Sequence, residues 1–468
     1  ENDRLLLLRN TVEGERPAGF VSYREIGNED LFGVLKDMEL ANLVRGKSSR
    51  EILLITGIYA REDGTGDSGV IRDAPQQLLV EVLAKELEKN YSFALFVAER
   101  GTATKEVVYV LERQGFIRPH MADENDKRTI YMVDMHEPLM FLHNLDTTIK
   151  EPFASNPAVL DAVEKNHKKL QIAMTKLYPG NLVLSLSSGI MYHRLVDRIT
   201  ALNDVPREPL VPRRLGKNMC VPFGKILRGK VVPNTVTKTL HTDKVYEPDL
   251  NSFTIEPFPY YSPLKSQIET IKSFDRPVIL VDDLVHTANR LQVLVPQLRE
   301  DGIPIKKVVV GVLSGYGRDL MQCLKVPVES IYSMPNLRQW FVESTLYPFI
   351  GGDTVRREEM KVAGLQPSIN MILPYATPKL SGCSREALVE FSACCIENSR
   401  DLFQVLEAEY RKMYAKNLTL SRLSEAVILP LCPDKGSCME YDENLAASVY
   451  LENDLETLWR MKEFLIKG

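Results

Sequence analysis

Apolar and polar residues fall in blocks along most of the chain, and the block lengths predict an alternation of strands and helices. The run Glu51-Ile52-Leu53-Leu54-Ile55-Thr56-Gly57-Ile58-Tyr59-Ala60 is apolar and rich in β-branched residues, which predicts a buried strand. Gly64, Gly66 and Gly69 mark a glycine-rich loop after it. Asp73 then reads as a helix N-cap, with Pro75 in the first turn and Gln76 three residues after the cap. Leu78, Leu79, Val82, Leu83 and Leu87 share one face of that helix. Ser92 to Val97 predicts the next strand, and Thr104 to Gln114 the next helix, stopped by Gly115.

Residues 156–178 carry an amphipathic helical pattern, and the zone after them alternates strand and helix again. That alternation is the pattern of a parallel α/β sheet. Pro206, Pro209, Pro212, Pro222 and Pro233 predict irregular chain over 205–234. From about 376 the pattern is helical, over 385–399, 400–415, 418–427 and 442–465. Leu451, Leu455, Leu458, Met461 and Leu465 form a core stripe on the last helix. The expected fold class is therefore α/β, in three zones: 1–140, 150–375 and a helical segment 376–468, read as a cap or oligomerisation element.

Length and composition narrow the picture. A chain of 468 residues is too long for one core. With 44% hydrophobic and 26% charged residues it has ordinary globular composition. A net charge of -5 gives no general attraction to nucleic acid. No apolar run reaches the roughly 18–20 residues that span a bilayer. The start lacks Met and has no signal-peptide layout, so the chain is expected to continue something removed upstream. Seven scattered cysteines point to a reducing cytoplasm. Cys432 and Cys438 have no second pair at a metal-binding spacing and read as buried or free thiols.

The sharpest chemical signal is Pro277-Val278-Ile279-Leu280-Val281-Asp282-Asp283-Leu284-Val285-His286-Thr287-Ala288-Asn289-Arg290. An apolar strand ends in two acids, where α/β sheets place their ligands. A polar turn and a helix follow, with Leu291, Leu294, Val295 and Leu298 on one side. The start of such a helix offers free N–H groups to a phosphate. Adjacent carboxylates accept hydrogen bonds from vicinal hydroxyls or hold a divalent cation beside a pyrophosphate. The plainer reading is a pair of acids that caps a helix.

This stretch resembles the phosphoribosyl-pyrophosphate motif of the type I phosphoribosyltransferases. The resemblance implies that Asp282 and Asp283 bind the ribose hydroxyls and carry magnesium through ligand hydroxyls or water. It implies that Thr287, Ala288, Asn289 and Arg290 cradle a phosphate, and that His286 stands where the family has a catalytic acid. Ala288 replaces the family's Gly and Arg290 its later Thr. Ser187-Ser188-Gly189, after the strand-like Asn181–Leu186, resembles the family's pyrophosphate loop. Between them, Pro233 to Tyr246 occupies the place of a mobile basic loop, with Lys238, His241 and Lys244 to neutralise phosphate. Trp340, Phe341, Tyr347 and Phe349 follow the last strand as core residues or a base-stacking surface. A homodimer is a common state of this fold.

The first zone resembles a GNAT-type acetyltransferase: strand, glycine-rich loop, helix, strand, helix, then Gly115-Phe116. Leu111 takes the place of the family's Tyr. Gly69-Val70-Ile71-Arg72-Asp73-Ala74 keeps only the last small residue of its acetyl-CoA loop, so acetyl-CoA is not expected to bind. Three functions follow from these resemblances. They are phosphoribosyl transfer to a nitrogen nucleophile from phosphoribosyl pyrophosphate, nucleotide sensing without catalysis, and acyl-CoA-dependent N-acyl transfer with Glu62 or Asp63 as base.

Overall fold

The computed structural model describes residues 3–10, 16–48, 51–60, 73–99, 103–120, 128–212, 214–259, 261–357, 362, 364–378, 380–435 and 440–467. Gly64, Gly66, Gly69, Glu62, Asp63, Arg72 and Cys438 lie outside the described residues. The chain divides into two compact units. The first holds Glu1–Phe141, Met174–Ser185 and Ser333–Trp340; the second holds Leu142–Ala173, Leu186–Tyr332 and Phe341–Gly468.

The chain opens with strands β1 (Arg4–Asn10) and β2 (Arg16–Ile26) and short helices α1 (Leu31–Leu35) and α2 (Met38–Lys47). Then come β3 (Ile52–Ala60), α3 (Ala74–Glu86), β4 (Phe93–Glu99), α4 (Lys105–Arg113) and β5 (Arg128–His143). Helix α5 (Pro157–Leu177) precedes β6 (Asn181–Ser187) and α6 (Ser188–Leu202). Strands β7 (Met219–Pro222), β8 (Val236–Thr237), β9 (Thr242–Tyr246) and β10 (Phe253–Pro257) follow, then α7 (Leu264–Lys272). The motif lies in β11 (Val278–Val285) and α8 (Asn289–Glu300), followed by β12 (Ile305–Ser314), α9 (Gly315–Cys323), β13 (Val328–Met334) and β14 (Gln339–Val342). The last elements are β15 (Asp353–Val355), β16 (Gln366–Ile369), α10 (Arg385–Tyr414), β17 (Leu431–Pro433) and α11 (Ala447–Lys467).

A seven-stranded sheet has the order β1-β2-β3-β4-β5-β14, with β6 also paired to β5. Its inner strands are continuous apolar runs, and Ile52 to Ile55 and Phe93 to Phe96 are buried. Helix α4 starts where Thr104 Oγ1 accepts from the Val107 N–H (3.2 Å). The cap expected at Asp73 is not made. Its carboxylate instead meets the buried guanidinium of Arg113 at 2.6 Å, because a buried charge left alone costs more than a bare helix end. The strand at 181–187 is also placed differently from expectation: it adds to β5 and is not a strand of the motif's sheet.

In the second unit, a five-stranded sheet of order β13-β12-β11-β7-β8 has the motif strand at its centre. β11 runs parallel to both β12 and β7, and β7 runs parallel to β8. One face is covered by Ile268 and Ile271 of α7, Leu291, Leu294, Val295 and Leu298 of α8, and Met321 of α9. Helix α6 packs on β12 through Met191, which lies against Gly311. A second five-stranded sheet has the order β10-β9-β15-β16-β17.

The structure departs from the sequence expectations in further places. The segment 233–246, expected as a mobile loop, holds β8 and β9, and the Lys238 and Leu240 N–H groups donate to the Cys220 and Pro222 carbonyls (both 3.0 Å). The predicted helices 385–399 and 400–415 are one helix, α10, capped by Ser384 (3.1 Å to the Ala387 N–H). No Gly or Pro interrupts it at Ser399-Arg400. Residues 420–425 form only a 3-10 turn, and Leu431–Pro433 is a strand. Phe341, Tyr347 and Phe349 are buried core residues. Among the described residues no helix is long and apolar enough to cross a membrane.

The α6–β12 contact is open to test. A Cβ at Gly311 would sit 2.6 Å from the Asp283 carbonyl oxygen and closer still to the Met191 sulfur. The backbone oxygen cannot give way, so Gly311→Ala is expected to cost about 1–3 kcal/mol. A lower urea midpoint supports this packing; an unchanged midpoint contradicts it.

Candidate functional site

Strand β11 drives its apolar half, Val278 to Val281, into the core and delivers Asp282 and Asp283 at its carboxyl end. Because β7 is parallel, its own carboxyl end arrives at the same level, with Pro222 paired to Val281. The chain leaving β7 therefore passes beside Asp283. Both Asp283 carboxylate oxygens accept from it, Oδ2 from the Lys225 N–H (2.6 Å) and Oδ1 from the Ile226 N–H (3.1 Å). Gly224 makes the approach possible: a Cβ there would lie 2.8 Å from the Asp283 backbone nitrogen and against its carboxylate. Asp283, expected to bind ribose, is thus occupied in holding the 224–226 turn.

That turn brings in two cations, Lys225 and Arg228. They act electrostatically on each other and on Arg290 from the first turn of α8. Burial lowers the pKa of Lys225, and Arg228 and Arg290 lower it further against the opposing charges of Asp353 and Asp243. Burial also lowers that of Arg228, with Arg290 adding and Asp243 opposing. Asp282 is buried, its Oδ1 accepting from the Asp283 N–H (2.9 Å) and lying 3.6 Å from Arg290 Nη1. Burial pushes its pKa up to about 7 and the Asp283 charge adds, while Arg290 and Arg228 oppose.

The turn between β11 and α8 ends at Ala288, which has φ 50° and makes no side-chain cap. The first N–H groups of α8 are left for another partner. Thr287 Oγ1 accepts from Asn289 Nδ2 (2.7 Å), and the Thr287 carbonyl from Gln292 Nε2 (3.0 Å). His286 Nδ1 is 2.8 Å from Ser314 Oγ, and burial lowers its pKa, which favours the neutral ring. His241 stacks on Tyr261 at 3.8 Å, and its pKa is lowered by burial, then by Arg228 and Lys238. Arg228 lies over the Phe258 ring at 5.0 Å.

The expected residues are therefore partly assembled. Asp282, Asp283 and Arg290 stand together, and His241 joins them through the field of Arg228. Lys238 is exposed, while Lys244 is fixed in β9 over Tyr246 and Phe253 (4.3 and 4.1 Å). Ser187 caps α6 through the Ile190 N–H (3.5 Å), and Ser188 is buried with no hydrogen-bond partner for Oγ among the described residues. Gly224, Lys225, Arg228, Asp243 and Asp353 also belong to this cluster, and the motif does not point to them. The signal for the first two was Phe223-Gly224-Lys225, a glycine and a cation directly after a short buried strand, obscured by the prolines around it.

In the first unit, β3 and β4 are parallel but paired only from Leu53–Ala94 to Ile55–Phe96. Their outer pairings continue to Ala60 and Glu99, so the two strands part toward their carboxyl ends.

Comparison with known proteins gives distant structural likenesses. A NatC complex bound to Gag peptide and CoA aligns with 28% of this chain and 70% of its own, at 11% identity and TM-score 0.20. FeeM, an N-acyl amino acid synthase from uncultured soil microbes, aligns with 29% and 73%, at 17% identity and TM-score 0.21. A purine phosphoribosyltransferase from Pyrococcus horikoshii Ot3 aligns with 33% and 87%, at 13% identity and TM-score 0.21. No family model matches the chain. No curated protein matches its sequence.

The state of Asp282 gives a signed prediction. A carboxyl whose pKa is raised on folding holds its proton more tightly when folded. The protein therefore loses stability as pH rises from the unfolded value of about 3.9 toward the folded value of about 7. Asp282→Asn removes that loss. Its unfolding midpoint should exceed the parent's at pH 8 and converge on it at pH 4, whereas a gap independent of pH refutes the assignment.

Proposed function

We propose that the second unit binds a phosphorylated ribose, either phosphoribosyl pyrophosphate or a nucleotide, over the carboxyl ends of β7 and β11. The observation that carries this reading is the gathering of Lys225, Arg228 and Arg290 around the Asp282–Asp283 pair. Three cations sharing a partly buried space repel one another, and a polyanion relieves that repulsion. The acids favour a ribose phosphate over a bare anion. Asp282 offers acceptors for vicinal hydroxyls while the cations and the uncapped start of α8 take the phosphates.

Magnesium would enter with the ligand. Both Asp283 oxygens already accept backbone N–H groups, and Asp282 lies beside Arg290, so these carboxylates reach a cation through ligand hydroxyls or water. The reaction this arrangement supports is transfer of the phosphoribosyl group to a nitrogen nucleophile. The three cations take up charge on departing pyrophosphate, Asp282 faces the positive charge growing on the ribose, and neutral His286 is suited to accept a proton. Binding without turnover is the signature of a nucleotide sensor.

A thermal-shift titration against phosphoribosyl pyrophosphate, AMP and GMP, with and without magnesium, tests the reading. At least one ligand should raise the midpoint. Arg290→Ala and Lys225→Ala should weaken it about 10- to 100-fold, the equivalent of one charge-assisted hydrogen bond. Pyrophosphate release with the bound ligand then separates transfer from sensing. No shift at millimolar ligand removes the proposal.

The parting of β3 and β4 supports a second reading for the first unit, acyl-CoA-dependent N-acylation. Diverging strand edges offer backbone donors and acceptors to an extended amide-bearing chain such as the pantetheine arm of CoA. Calorimetric titration with acetyl-CoA should register saturable heat if this holds, and none if the cleft is only structural.

A further inference from the structure

A second polar centre lies in the same unit, built from residues far apart in sequence. His143 is the last residue of β5, His167 lies on α5, and Glu343 opens the 3-10 turn Glu343–Leu346. One donor atom from each lies within 4.8 Å of the others. His167 Nδ1 is 2.5 Å from Glu343 Oε1, and His143 Nδ1 is 3.7 Å from Oε2. The imidazole rings meet edge to face at 4.5 Å.

Each of the three is fixed by its neighbours. Asn144 and Ser344, the residues that follow His143 and Glu343, bond reciprocally: Asn144 Nδ2 donates to Ser344 Oγ and the Ser344 N–H donates to Asn144 Oδ1, both at 2.9 Å. Asn166, which precedes His167, exchanges hydrogen bonds with Asn398 of α10 at 2.8 and 3.0 Å. Asn398 also donates to Tyr347 Oη (3.2 Å), and that hydroxyl faces Glu343 Oε1 at 3.5 Å. Gln171 holds His143 Nε2 at 2.9 Å. A hydrogen bond to the far ring nitrogen is what orients a ligating histidine.

An ion pair alone leaves this centre incomplete. Glu343 is fully buried, with His143 Nδ1 3.7 Å from its Oε2 and His167 Nδ1 2.5 Å from its Oε1. One protonated histidine would balance the carboxylate, yet two converge on it. We propose that His143 Nδ1, His167 Nδ1 and the Glu343 carboxylate bind a divalent transition-metal ion of the zinc class. Two imidazoles and one carboxylate form a donor set that suits zinc, cobalt(II) and iron(II), and does not suit magnesium or calcium. Gln171 would turn its amide to accept from His143 Nε2–H. A water molecule would complete the shell.

The test uses the full chain, freed of metal with a chelator and titrated with Co2+. Binding should saturate at one equivalent, with a visible ligand-field band that Zn2+ abolishes, and Zn2+ should raise the thermal midpoint. Glu343→Gln and His167→Gln should each lose the band and the thermal gain. His136→Gln, at an exposed His–Asp contact in the other unit, should keep both. Folded Glu343→Gln and His167→Gln proteins that bind Co2+ as the parent does would overturn the proposal. If those variants do not fold, the parent decides alone. Pulsed paramagnetic resonance of bound Cu2+ should then show two imidazole nitrogens, and no such coupling, or no saturable binding at all, refutes the site.

Discussion

The charged cluster of the second unit depends on one carboxylate. Asp283 leaves the end of β11 and accepts two successive backbone N–H groups, from Lys225 and Ile226, on the chain that has just left β7. Parallel pairing brings the two strand ends level but says nothing about where the chain goes next. A carboxylate with both oxygens bonded to backbone amides fixes that path, and charge-assisted bonds to N–H groups are among the stronger ones available. From that path follow the positions of Lys225 and, a turn later, Arg228. Gly224 is part of the same constraint, since any side chain would push the turn off Asp283. Asp283 therefore works as a strut for the turn, and Asp282 beside it bonds only locally, to the Asp283 N–H, with Arg290 3.6 Å away.

The charges around it are only partly matched. Lys225, Arg228 and Arg290 are answered by Asp282, Asp243 and Asp353, yet the pKa values of Lys225 and Arg228 are lowered and those of Asp282 and Asp353 are raised. Burial dominates in all four. An arrangement selected for stability alone would replace such groups with packed apolar side chains at little loss or some gain. Holding charges in a state they resist is characteristic of sites awaiting a charged partner. The helix start at Ala288 adds to this, since a residue at φ 50° with no cap leaves N–H groups facing the same region without a side-chain acceptor.

How much of this was legible depends on how local the cause was. The β11–α8 motif could be read because its strand, acids, turn and helix face are contiguous. The Lys225–Arg228 turn could not, because five prolines between 206 and 233 signal irregular chain and its order comes from Asp283, about 58 residues away. The resemblance places a mobile basic loop at 233–246, but Thr242–Tyr246 is a strand because β10 and β15 pair with it on either side. Helix α10 was split at Ser399-Arg400, although Ser399 is buried and donates to the Pro348 carbonyl (2.9 Å). A polar residue in a helix interior here makes a tertiary contact and marks no boundary.

The His143–His167–Glu343 centre shows the limit of motif reading more sharply. No spacing rule connects residues 176 positions apart, and each alone is an ordinary residue on its element. What marks the place is the concentration of asparagines beside it. Asn144, Asn166 and Asn398 are all buried, and each is used in reciprocal bonds that lock two elements in register. Buried amides are expensive unless fully paired, and apolar side chains could hold the same elements together without that cost. Their use makes sense where direction matters as well as cohesion, because a paired amide fixes rotation and register together. The two centres are thus built in opposite ways. One leaves charges in tension around an open turn, and the other braces a carboxylate and two imidazoles so that their donor atoms converge.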